Sequence, residues 1–202
     1  MQNFVRVFRL AAAAATILMF VSPALAQTQL SEFDRAVFFF GGRFHQDWFG
    51  TGLKPWEVTW EDNYVIGGGY QQTVVDWNDV RIGGEFGLAG RFGTSLSAEA
   101  WFGGFIRYDG LVIADTLRVS PAFSAGLSIV TNTIGIEDYR ADLIGLSDVP
   151  LLVYLGPELN LSLVDHPEWE VFWRLHHRSG GYGWIANIDG SNAVTGGFRY
   201  KF

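Results

Sequence analysis

Leu117-Arg118-Val119-Ser120-Pro121-Ala122-Phe123-Ser124-Ala125-Gly126-Leu127-Ser128-Ile129 alternates from end to end. Its odd positions are apolar, and its even positions are small or polar. Residues two apart share one face of a strand, so the segment reads as β-strand with one greasy side. The split recurs from Val80 to Phe92, where Val80, Ile82, Phe86, Leu88 and Phe92 oppose Arg81, Gly83, Glu85, Gly87 and Arg91. It recurs again from Leu151 to Leu163, where Val153, Leu155, Leu159, Leu161 and Leu163 oppose Tyr154, Glu158, Asn160 and Ser162.

Eight such segments follow one another: Arg35–Phe44, Asn63–Thr73, Val80–Phe92, Ser95–Tyr108, Thr116–Val130, Leu151–Leu163, Trp169–Ser179 and Asn192–Phe202. Each is long enough to cross a bilayer when tilted, which takes about ten residues. Strands of a soluble sandwich are usually about half that length and turn their polar face outward. Here Arg81, Glu85, Glu99, Arg107, Glu170 and Arg174 all oppose the continuous apolar stripe. Ionic and glycine positions inside, with Leu, Val and Phe outside, are the inverted pattern of a membrane barrel. The expected fold is all-β, an eight-stranded antiparallel transmembrane β-barrel of the bacterial outer membrane. Side chains fill a lumen of eight strands, which disfavours a pore.

Composition agrees. The chain has 202 residues, 17% charged and 49% hydrophobic, with 25 glycines and no cysteine. Residues 1–26 read as a signal peptide: Arg6 and Arg9 precede the apolar run Leu10 to Val21, and Ala24-Leu25-Ala26 offers a cleavage site before Gln27. Residues 27–202 then form one barrel domain, delivered to the cell outer membrane after Sec-type export. No later apolar run reaches a helical span. No disulfide can assist the core. A net charge of −7 argues against nucleic acid as a partner; the bilayer is the partner expected, and a homodimer is left open.

With both termini in the periplasm, the outward connections should be the longer ones. His45–Asp62, Thr131–Pro150 and Gly180–Ser191 are long, Thr94 is a short exception, and the inward turns Asp76-Trp77-Asn78 and Asp165-His166-Pro167-Glu168 are brief. The ending Phe198-Arg199-Tyr200-Lys201-Phe202 resembles the terminal signal read by the barrel-assembly machinery.

Few residues can carry chemistry. His45 and His166 fall in connections with no acid and nucleophile arranged about them, and His176 should face the lumen near Arg174 and Arg178. His177 and Ser179 share a strand face with Val171, Trp173 and Leu175, directed at lipid. A serine hydroxyl is a weak nucleophile until an adjacent imidazole takes its proton, so the pair suits acyl transfer. The same two residues also suit a polar interface zone with no chemistry.

The wider string Arg174-Leu175-His176-His177-Arg178-Ser179-Gly180-Gly181-Tyr182-Gly183, followed by Gly190-Ser191-Asn192, resembles the lipid A 3-O-deacylase family, the PagL-like, acyloxyacyl hydrolase-related outer-membrane esterases. The family signature is a His-x-Ser on the penultimate strand. The resemblance implies a serine esterase that removes an ester-linked acyl chain from lipid A in lipopolysaccharide, with no metal or organic cofactor. It makes Ser179 the nucleophile and His177 the general base. The family's Glu, somewhat more than a dozen residues past the histidine, has no counterpart, and Asp189 is the only acid in that region. Where the family has an oxyanion-holding Asn after the serine, this chain has Gly180; the amides of Gly180 and Gly181 or the side chain of Asn192 would have to serve. Trp48, Trp56, Trp60 and Trp184 are candidates for an acyl groove or for an interfacial girdle, and Arg178 for a lipid phosphate. A non-catalytic barrel with a structural or adhesive role, its function in the loops around Trp48 and Asp138, is the competing reading.

Overall fold

A computed structural model describes residues 33–202; the signal-peptide reading of residues 1–26 lies outside them. Eight long strands form the wall: β1 Arg35–His45, β2 Trp60–Trp77, β3 Val80–Phe92, β4 Leu96–Tyr108, β6 Leu117–Val130, β7 Leu151–Leu163, β8 His166–Ser179 and β9 Ser191–Lys201. Each pairs antiparallel with its neighbours in sequence, and β1 pairs with β9, so no edge is left open. The three-residue β5, Leu111–Ile113, folds back on β6 beneath the wall.

The alternation read from sequence places side chains as expected. Phe39, Ile66, Phe86, Leu88, Phe102 and Phe198 stand exposed on the outer surface, a belt of apolar groups suited to hydrocarbon. The inside is closed. Phe38, Phe40, Trp101, Tyr154 and Phe172 pack across it, and Gly69 and Gly87 let them in. A Cβ on Gly87 would lie 2.1 Å from the Trp101 ring, and one on Gly69 2.4 Å from Phe38.

Around that aromatic layer runs an ionic network. Arg174 bridges Glu85 at 2.9 Å and Glu158 at 2.6 Å, Arg199 reaches Glu158 at 2.8 Å, and Lys201 reaches Glu170 at 2.9 Å. Arg107 also grips Glu170. Most of the lumen-facing charges are those the sequence identified, with Arg199 and Lys201 added; some join neighbouring strands, as Arg174 with Glu158, and others span the lumen, as Arg174 with Glu85 and Arg107 with Glu170. Burial makes such pairing obligatory, because an unpaired ion in this interior would be costly.

Several features depart from the sequence reading. β1 runs on through His45 and β2 begins at Trp60, so His45 is a strand residue and the first outer connection is 46–59 rather than His45–Asp62. The β2–β3 turn is Asn78-Asp79, both with positive φ, 48° and 65°, as a two-residue primed hairpin requires. The β7–β8 turn sits at Val164-Asp165, and His166 to Glu168 already belong to β8, whose register slips between Ser162 and Leu163. Finally, the 131–150 connection contains α1, Ile136–Leu143, with Gly135 preceding it at φ 60°. Glu137 of α1 enters the barrel mouth, where Arg91 donates at 2.5 Å and Arg178 also donates. That buried contact removes Arg178 as a phosphate ligand.

Candidate active site

At the end of the barrel away from the termini, three strands present polar side chains on their outer face. Cross-strand register sets His45 of β1 opposite Asn192 of β9, and Asn192 opposite His177 of β8. All three follow the outward parity of their strands, yet none meets the exterior: His45 is 0% exposed, Asn192 0% and His177 3%. The reading of His177 as lipid-facing is therefore corrected. The first outer connection, residues 46–59, folds down over the wall and covers this row.

Its contacts are specific. The Phe49 ring lies 4.5 Å from the His177 imidazole, centroid to centroid. Gly52 sits so close to the wall that a Cβ there would come within 2.6 Å of His45 Nε2 and 2.7 Å of Leu175 Cδ1. Asn192 Nδ2 donates to the Asp47 carbonyl at 3.0 Å. That bond fixes the amide: its oxygen is turned to His177 Nδ1, 2.6 Å away. An amide oxygen only accepts, so Nδ1 carries the proton and Nε2 keeps its lone pair. This is the tautomer a general base needs toward a serine.

Ser179 and His177 line one cavity of about 490 Å3 together with Trp48, Phe49, Leu155 and Ile188. Tyr182, Gly183, Asn187 and Asp189 complete its border. Among the described residues the two form no hydrogen bond to each other, a common state for a catalytic pair without substrate. Of the four tryptophans considered, Trp48 lines the cavity; Trp56, Trp60 and Trp184 do not.

Asp189 borders the cavity but does not hold the histidine. Its carboxylate lies 3.4 Å from Arg140 Nη1, and Asn192 already occupies His177 Nδ1. Burial raises the Asp189 carboxyl above the usual aspartate range, with Arg140 opposing that shift. Asn192 is in turn removed from the oxyanion set, since its oxygen faces His177 and its nitrogen faces Asp47. Gly180 is also committed. Its amide donates to Ile188 O at 2.7 Å, and a Cβ there would fall 1.6 Å from Ala186 O. No side chain fits at that position, which explains the glycine where the resemblance expects Asn. The Gly181 amide, at φ 64°, makes no hydrogen bond among the described residues, but Gly181 is not among the residues lining the cavity.

Sequence reasoning missed Asp47, Phe49 and Arg140. Arg140 of α1 donates through Nη1 to the carbonyls of Asp189, at 2.8 Å, and Gly190, at 3.0 Å, and through Nη2 to Gln46 O at 2.7 Å. Its guanidinium also lies 5.4 Å from the Trp48 ring. One side chain thus ties three outer connections together around the cavity. His45 and His176 differ: His176 bonds Glu99 at 2.9 Å in the lumen, whereas among the described residues neither ring nitrogen of His45 has a hydrogen-bond partner.

No protein-family model and no curated protein matches the chain. Solved structures do. The outer membrane enzyme PagL is 13% identical over 83% of this chain and 99% of its own, with a TM-score of 0.50. Neisserial surface protein A is 13% identical over 84% of this chain and 97% of its own, at 0.47, and Ail of Yersinia pestis 13% over 85% and 99%, at 0.42. Identities this low speak to the fold alone, that of an outer-membrane β-barrel.

Proposed function

We propose that this barrel is an outer-membrane serine ester hydrolase that releases an acyl chain from a lipid of the outer leaflet. Ser179 is the nucleophile, His177 the general base and Asn192 the residue that sets the base's tautomer. The carrying observation is the 2.6 Å contact between His177 Nδ1 and Asn192 Oδ1, which leaves Nε2 unprotonated in a cavity shared with Ser179. The His-x-Ser resemblance supports the same reading and makes lipid A the first candidate substrate.

In this mechanism Ser179 Oγ attacks the ester carbonyl while His177 Nε2 takes its proton. The tetrahedral oxyanion is met by backbone donors of the 180–190 connection that borders the cavity. Collapse expels the alcohol, protonated by His177, and leaves an acyl-serine that water hydrolyses by the same route in reverse. Asn192 cannot become negative, so it orients the imidazole without the electrostatic help a carboxylate gives the imidazolium. The apolar wall of Phe49, Leu155 and Ile188 gives the acyl chain a path from the bilayer.

The test is labelling with an acyl-mimicking fluorophosphonate in detergent micelles. Peptide mass spectrometry should place the adduct on Ser179, and His177→Ala should lose it while the barrel keeps its heat-modifiable gel mobility. Labelling that survives His177→Ala would remove the mechanism.

A further inference from the structure

The esterase reading leaves the head group open, and the charges around the cavity bear on it. The four outer connections, 46–59, 93–95, 131–150 and 180–190, hold seven carboxylates and two cations; with Glu137 drawn into the barrel mouth by Arg91 and Arg178, six carboxylates and the two cations remain, a net charge of −4. Neither cation lines the cavity. Arg140 is spent on three backbone carbonyls and on Asp189. Lys54 has an exposed side chain and pairs with Glu57 at 3.2 Å.

The rim of the wall adds one partly exposed cation, Arg43, and it is paired. Arg43 donates to Glu61 O at 2.6 Å and to Asp62 at 2.9 Å. Arg91 and Arg178, with fully buried side chains, share Glu137. Among the described residues the cavity lining contains no Lys or Arg, and its one charged side chain is Asp189. Recognition of a phosphate calls for an arginine fork or a lysine. Here a phosphate would instead meet the Asp189 carboxylate, beneath connections that also carry the exposed Asp138 and Asp142, within a field that salt screens over about 8–10 Å.

Resting on the esterase reading, we infer that the site selects acyl esters whose head group carries no net negative charge, phosphate-free or zwitterionic, over phosphorylated anionic ones. The chain-binding part of the cavity is indifferent to the head group, and discrimination lies in the acidic connections above it.

The experiment compares bisphosphorylated lipid A with the same lipid A after removal of its phosphates. Phosphatidylglycerol and phosphatidylcholine of matched chains form a second pair. All are presented in neutral micelles with a chelator to prevent bridging by divalent cations. The expected result is release of fatty acid about tenfold faster from the uncharged or zwitterionic member of a pair, a gap that narrows as salt rises. Which pair is cleaved tells a glucosamine lipid from a glycerolipid. Asp142→Lys with Glu57→Lys, both exposed, should raise the rate on the phosphorylated lipid. Equal or faster cleavage of phosphorylated lipid by the native chain overturns the inference. In parallel, native mass spectrometry of Ser179→Ala with an equimolar mixture reads binding without hydrolysis. Enrichment of the phosphate-free lipid supports the selectivity, and equal retention overturns it. Native protein that cleaves none of the four lipids fails the esterase reading, while the Ser179→Ala measurement still decides the selectivity.

Discussion

Two rows of three side chains run across the same strands and point the same way, with opposite fates. In the lower row Phe39, Phe198 and Val171, aligned across β1, β9 and β8, are 55%, 53% and 58% exposed. In the upper row His45, Asn192 and His177 are buried. Strand parity decides which side of the wall a residue occupies, but it does not decide what lies over that side. For the lower row the cover is lipid. For the upper row it is Phe49 and Gly52, which turn an outward position into an enclosed one where a hydrogen bond is strong and an orientation can be fixed.

The contrast can be broken most forcefully at the upper row. His177→Ala should lower ester hydrolysis by at least about a thousandfold with the barrel still folded, as loss of a base does in serine hydrolases; release of fatty acid per unit protein measures it. Asn192→Ala should cost about a hundredfold in kcat, because the imidazole loses the partner that fixes its tautomer, and Asn192→Asp should restore most of the rate. An unchanged kcat in Asn192→Ala would show that the hydrogen bond is incidental. At the lower row, Phe198→Ala should leave hydrolysis untouched and reduce barrel stability by about 1–2 kcal/mol, read from urea unfolding in micelles. Asp189→Asn should change the rate least, less than about threefold, because Arg140 is held by backbone carbonyls whether or not the carboxylate is charged.

The barrel was legible because period two persists through every long strand, and because its charges sit opposite its greasy stripe. Elements outside that periodicity were not legible. β5 and α1 lie in connections without alternation, and the β7–β8 turn was misplaced because Pro167 reads as a breaker although it opens a strand whose register shifts there. At the site, His177 and Ser179 were visible from spacing. Asn192 was assigned to the wrong task because an acid was sought, and Asp189 was the nearest in sequence. A signal was present: Asn192 shares outward parity with Val194, Phe198 and Tyr200, which put it on the face of His177. Gly180 could not be understood from sequence, since its need arises from Ala186 folding back upon it. Arg140 could not be found either, as its role exists only once three connections meet.

The most direct test is mass spectrometry of lipid extracted from cells that make the native chain or Ser179→Ala at matched outer-membrane levels. Native protein alone should produce lipid lacking the mass of one acyl chain, together with the matching free fatty acid. Identical lipid profiles from the two strains would contradict the account and leave a folded barrel without hydrolytic activity.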